Sequence, residues 1–157
     1  MHSLHQLIEP NCAFEKVFYK EKFCLHKELY KELPENTIGE KIIKLRLSHD
    51  MDREALAKTL HFHVDTIEGW EIHNVMPQPL NIKKLCNFFK VKPKYFHEYY
   101  QFYFNNPEGK IKEWMVKNKF TYDKVAETLG ISRSGVGSLL NGKLKASFYM
   151  YEKLKNL

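Results

Sequence analysis

The stretch Thr121-Tyr122-Asp123-Lys124-Val125-Ala126-Glu127-Thr128-Leu129-Gly130-Ile131-Ser132-Arg133-Ser134-Gly135-Val136-Gly137-Ser138-Leu139-Leu140-Asn141-Gly142-Lys143 carries two helix patterns and the punctuation between them. Thr121 is a natural N-cap, because its hydroxyl can accept from a backbone N–H that has no partner inside the helix. Val125, Ala126 and Leu129 then share one apolar face. Gly130 follows, where a residue that tolerates positive φ ends a helix. Ile131 plugs the corner. Ser132 caps a second helix with Val136 and Leu139 facing inward, and Asn141-Gly142 supplies turn chemistry at its end. Two short helices joined by a tight turn follow.

The outward residues of the second helix are Arg133, Ser134 and Ser138, a basic and hydrogen-bonding face. A helix-turn-helix with such a face can enter the DNA major groove. The stretch resembles the lambda repressor/Cro-like (XRE-type) helix-turn-helix family. The resemblance rests on the capped helix, the small Ala126, the Gly130 turn, the Ser132-x-Ser134 start and the Asn141-Gly142-Lys143 exit. It implies that Arg133, Ser134 and Ser138 read bases, while Thr121, Tyr122, Asn141 and Lys143 lie near backbone contacts. Tyr122 stands where the family usually has Gln. Gly135 and Gly137 each lower helix propensity by about 1 kcal/mol relative to Ala.

Upstream, the same skeleton recurs. Thr37-Ile38-Gly39-Glu40 is a capping box, followed by Ile42, Ile43, Leu45 and Leu47. Asp52 caps a helix with Leu56, Ala57 and Leu60 inward, His61-Phe62-His63 makes a turn, and Val64 to Glu71 forms the next helix around Ile67 and Trp70. Gln78-Pro79 starts a fourth helix and Pro93 a fifth, which includes Tyr95, Phe96, Tyr99 and Tyr100. Ile42/Ile111, Ala57/Ala126, Leu60/Leu129, Ile67/Val136 and Leu85/Leu154 are each 69 positions apart, without a gap. One constant offset predicts a tandem pair. The expected fold is all-α: two tandem helix-turn-helix bundles, five-helix over residues 37–104 and four-helix over residues 105–157. Asn106 and Pro107 cap and start the second copy. A short N-terminal segment, residues 1–36, precedes them.

The copies differ on their outward faces. Val64, Asp65, Glu68 and Gly69 replace Arg133, Ser134, Gly137 and Ser138. Carboxylates there repel phosphates, although they can accept from cytosine N4. Arg53 is placed to reach a phosphate and Thr66 a thymine methyl; otherwise the first copy is a retained scaffold. His61 and His73 stand where the second copy has Gly130 and Gly142.

Charge sharpens this contrast. The net +6 is concentrated in residues 105–157, which hold 10 basic and 5 acidic residues. Lys110, Lys112, Lys117, Lys143 and Lys145 would supply salt-sensitive phosphate affinity if they flank the groove. Within residues 1–36, Phe14 to Leu25 suits either a helix or a hairpin, and Leu25, Leu29 and Leu33 a helix stopped by Pro34. Three scattered cysteines exclude a disulfide framework, and Cys12, Cys24 and His26 match no compact zinc spacing. His61, His63 and His73 read as surface or capping residues, and no metal or cofactor is expected. No apolar run is long enough for a membrane span, and no signal-peptide pattern opens the chain, so a cytoplasmic, nucleoid-associated setting is expected.

The reading that results is a sequence-specific, double-stranded DNA-binding transcription regulator of repressor type, with the second copy as main base reader. Such proteins bind paired half-sites as homodimers, and two copies in one chain could address both alone. The alternative is a protein-interaction regulator, antitoxin- or anti-repressor-like, using the acidic first copy and the aromatic run 95–104 toward a protein partner. That run could instead pack on residues 1–36, join the copies or form a dimer seam. No phosphate loop, acid pair or nucleophile–base set is present, so an enzyme is not expected.

Overall fold

The computed structural model describes residues 30–155, and these are all-α. Ten helices and no strand occur among them: α1 (Ile38–Ser48), α2 (Arg53–Leu60), α3 (Val64–Glu71), α4 (Pro79–Phe89), α5 (Pro93–Phe96), α6 (Glu98–Phe104), α7 (Pro107–Lys117), α8 (Tyr122–Leu129), α9 (Arg133–Leu140) and α10 (Phe148–Lys155). The expectations for residues 1–29, including the Phe14–Leu25 segment and the Cys12, Cys24 and His26 set, lie outside the described residues. Among the described residues, no helix is long and apolar enough to cross a membrane.

The chain divides into two compact units after Met76. In the first, Thr37 Oγ1 accepts from the Glu40 N–H (3.1 Å) while Glu40 Oε2 accepts from the Thr37 N–H (3.0 Å), closing the capping box of α1. Asp52 Oδ1 accepts from the Ala55 N–H at 2.7 Å and starts α2. Ile42, Leu56, Ala57, Ile67 and Trp70 are buried, with Phe62 edge-on to Trp70. Gly39 is where α1 meets the end of α3: a Cβ there would stand 2.5 Å from the Trp70 carbonyl oxygen, so any side chain forces the backbones apart.

The second unit contains α4 to α10. Its α7–α10 core gathers Ile111, Met115, Val125, Leu129, Val136, Leu139, Leu140, Ala146 and Met150. Burying each of the larger apolar side chains contributes roughly 1.5–3 kcal/mol. The aromatic run is spent largely inside this unit. Tyr100 is fully enclosed and donates to the Pro77 carbonyl at 2.6 Å, and Tyr99 donates to the Ala146 carbonyl at 3.2 Å. Tyr99 and Phe102 both pack on Tyr151 of α10. Residues 77–104 therefore group with the C-terminal helices, whereas the repeat in the sequence places its seam between residues 104 and 105. The single fifth helix expected from Pro93 is broken. His97 is extended, and its Nδ1 accepts from the Tyr99 N–H to start α6 afresh.

The 69-residue offset extends from side chains to backbone. Helices α1, α2 and α3 begin and end 69 positions before α7, α8 and α9, and α4 begins 69 before α10. Loop bonds repeat as well: the Met51 N–H donates to the Arg46 carbonyl as Phe120 does to Met115, and Phe62 to Ala57 as Ile131 does to Ala126. His61 adopts the left-handed conformation of Gly130 (φ 54° against 66°), so the turn survives without glycine. The exit turn does not repeat residue for residue. Its positive φ falls on Asn74, one place beyond the equivalent of Gly142.

Candidate functional site

α8, the turn and α9 together build one exposed face. Thr121 Oγ1 accepts from the Lys124 N–H at 3.3 Å, so α8 starts where the sequence placed its cap. Gly130 ends α8 in the left-handed region, where L side chains are strained. Ser132 Oγ then accepts from the Gly135 N–H at 3.1 Å and opens α9. Val136, Leu139 and Leu140 anchor α9 in the core. That fixes which residues remain outside: Arg133 and Ser134 are exposed, Ser138 is half-buried, and Asn141 and Lys143 are exposed at the exit. The Ser138 carbonyl accepts from the Lys143 and Leu144 N–H groups, tightening that exit. Tyr122 is exposed on α8, while Thr121 spends its hydroxyl on the cap.

Two side-chain couplings order this face. Ser132 and Ser134 hydroxyls are 3.0 Å apart. Arg133 donates through Nη1 to both carboxylate oxygens of Asp123, at 3.0 and 2.7 Å. No local pattern in the sequence points to Asp123. It lies ten residues from Arg133 across a turn whose angle local patterns do not specify. Of the second copy's lysines, Lys110, Lys112, Lys117, Lys143 and Lys145 are all exposed, as are Glu113 and Glu127. Lys145 pairs with Glu108 at 2.9 Å. That bond holds the Glu108 carboxyl below its ordinary value and raises the Lys145 ammonium. Lys110 lies over the Phe102 ring.

The equivalent face of the first copy is organised differently. Asp65 is exposed, Val64, Thr66, Glu68 and Gly69 are half-buried, and His63 Nδ1 caps α3 through the Asp65 N–H. Arg53 Nε donates to Glu71 at 2.7 Å. Arg46 grips the same carboxylate at 2.8 and 3.0 Å and donates from Nη1 to the Met51 carbonyl. The Glu71 side chain is wholly enclosed, and the Arg46 side chain is 9% exposed. Arg53, at 34%, is both half of this structural network and partly solvent-facing. A polar recess of about 430 Å³ opens beside it, lined by Arg46, Asp52, Arg53, Glu54, Val64 and Glu68. Its three carboxylates outnumber its two guanidinium groups, which suits no simple anion.

Among the described residues, no group of three or more His, Cys, Asp or Glu side chains is placed to hold a metal. Cys86 is buried, and burial pushes its thiol up to about 11, so it carries little thiolate at neutral pH. An apolar recess of about 160 Å³, lined chiefly by Phe102, Ile111, Trp114, Tyr151 and Leu154, lies within the second unit. Lys110 and Lys155 complete its lining. In the aromatic run, Phe96, Tyr99 and Tyr100 are buried, whereas Tyr95, Phe102, Tyr103 and Phe104 are half-buried.

No family model, curated protein or solved structure matches this chain.

Proposed function

We propose that the protein is a sequence-specific, duplex-DNA-binding regulator of the Cro-like helix-turn-helix type, with α9 as its base-reading helix. The observation that carries this reading is the outward face of α9. A guanidinium and short hydroxyls stand on a helix whose start is capped and whose inner face is anchored, in the copy that holds the chain's excess of basic residues. Arg133 would donate to guanine O6 and N7, a contact that discriminates by about 1–3 kcal/mol. Ser134 and Ser138 add short polar contacts, and Thr121, Tyr122, Asn141 and Lys143 flank the phosphates. The lysines supply the salt-sensitive part of affinity. Paired half-sites would be met by a homodimer or by two copies in one chain. In the cytoplasm this activity would act as repression, without cofactor, metal or catalysis.

The first copy fits a scaffold with a lesser DNA contact. Arg53 retains its terminal nitrogens for a phosphate, and Thr66 is the candidate for a thymine methyl. A second reading has a specific observation in its favour. The first unit exposes Ile72 (52%) and Val75 (54%) as well as the acidic Asp65, a combination suited to a basic, amphipathic protein segment.

Selection from a random duplex library separates the two. The wild-type chain is expected to recover a motif, Arg133→Ala to lose it, and Arg53→Ala to weaken binding without changing it. A motif that survives Arg133→Ala but disappears with Arg53→Ala would assign reading to the first copy. Sequence-blind, salt-erased binding alone would favour the protein-interaction reading.

A further inference from the structure

We propose that Asp123 is a positioning residue, which holds the Arg133 guanidinium for a two-bond contact with a guanine edge and so sets base choice at one position. This rests on the reading of α9 given above. Arg133 and Asp123 are 70% and 66% exposed, so their pair contributes little to folding. Its geometry is nevertheless specific. Both carboxylate oxygens accept from Nη1, and among the described residues neither Nε nor Nη2 has an acceptor. Those two nitrogens form one edge of the planar group, a parallel fork that matches two adjacent acceptors such as O6 and N7 of guanine.

The carboxylate also works against indiscriminate binding. Placed beside the reading helix, it repels phosphates of every duplex, and only a sequence that engages the held guanidinium offsets this. Specificity then arises partly from a penalty on the wrong partner. The device belongs to the second copy alone. The equivalent residues of the first are Glu54 and Val64, and a valine has nothing to donate.

The test uses the full chain with Asp123→Ala, Asp123→Asn and Arg133→Ala. Each is titrated with the selected duplex and with three duplexes carrying the other bases at the contacted guanine. Asp123→Ala is expected to lower the guanine preference by up to about fivefold, the size of an exposed pair's coupling. It should also tighten mixed-sequence binding and steepen its salt dependence by about one counterion. Asp123→Asn keeps an acceptor and should retain part of the preference, and Arg133→Ala should lose it all. Circular dichroism establishes that each variant is folded. If Asp123→Ala keeps the full preference, or weakens all four duplexes equally, Asp123 does not position Arg133. Loss of preference in Arg133→Ala alone would then leave the functional reading standing while this inference falls. A wild-type chain that selects no sequence would remove both.

Discussion

In the first copy the enclosed Glu71 carboxylate accepts from Arg46 and Arg53; in the second, the residues 69 positions on are Leu140, Met115 and Tyr122. Met115 and Leu140 belong to an apolar core, and Tyr122 lies half in solvent much as Arg53 does. The bounds of α1–α3 nonetheless match those of α7–α9, and bonds in the loops between them recur at the same offset. The fold is therefore not dictated by the ionic network. What it needs at these positions is volume that joins α1 and α2 to α3, supplied by either chemistry. The ionic version bears a desolvation cost that its hydrogen bonds must offset. It also leaves an arginine tied down beside an acidic face, whereas the second copy keeps its arginine outside.

Breaking the network should have the largest effect. Glu71→Ala strands two guanidinium groups and is expected to cost about 3–5 kcal/mol in urea unfolding of the first unit. Transplanting the apolar set sharpens the point. Arg46→Met, Arg53→Tyr and Glu71→Leu together should leave stability unchanged or raise it by about 1–4 kcal/mol. A triple variant that fails to fold would show that the copies are not interchangeable there.

Gly39 and Glu108 occupy equivalent positions in the two copies. Gly39→Ala drives a Cβ into the Trp70 carbonyl and should cost about 1–3 kcal/mol by thermal denaturation. Gly137 is the opposite case, since a Cβ there meets nothing within 4 Å. Gly137→Ala should stabilise the second copy by up to about 1 kcal/mol through helix propensity. If α9 enters a groove, the same methyl should weaken duplex binding, so stability and affinity would move apart.

The smallest effect is expected at Glu108. Its lowered carboxyl stabilises the fold above the ordinary value of 4.5 and ceases to do so as pH falls through the folded value. The raised Lys145 ammonium contributes below its ordinary value of 10.5, and that contribution is lost as pH rises through the folded value. Glu108→Gln should thus be slightly less stable than wild type at neutral pH. The gap should close toward both ends of a pH series of melting curves.

Much of this architecture was legible because local chemistry specifies it. Thr37, Asp52, Asn106, Thr121 and Ser132 each accept the backbone bond that their side chains suggest. The offset was legible because interior residues repeat at one spacing. His61 was less so, since a histidine does not announce the left-handed turn that Gly130 does. The break at His97 turns on its own ring accepting from the Tyr99 N–H, and the docking of Tyr99 depends on partners 47 residues and more away, as the Tyr99–Ala146 bond shows. Aromatic excess alone does not name such partners. In the candidate site, the outward grouping of Arg133 and Ser134 followed from helical periodicity. The Asp123 pair and the Glu71 network did not, because each joins two helices at an angle that periodicity leaves open.

The most direct measurement is amide chemical-shift mapping of the full chain titrated with the selected duplex. The largest perturbations are expected across 121–143, centred on Arg133, Ser134 and Ser138, with smaller changes near Arg53. Perturbations centred on 53–69 that leave 133–138 unmoved would overturn α9 as the reading helix.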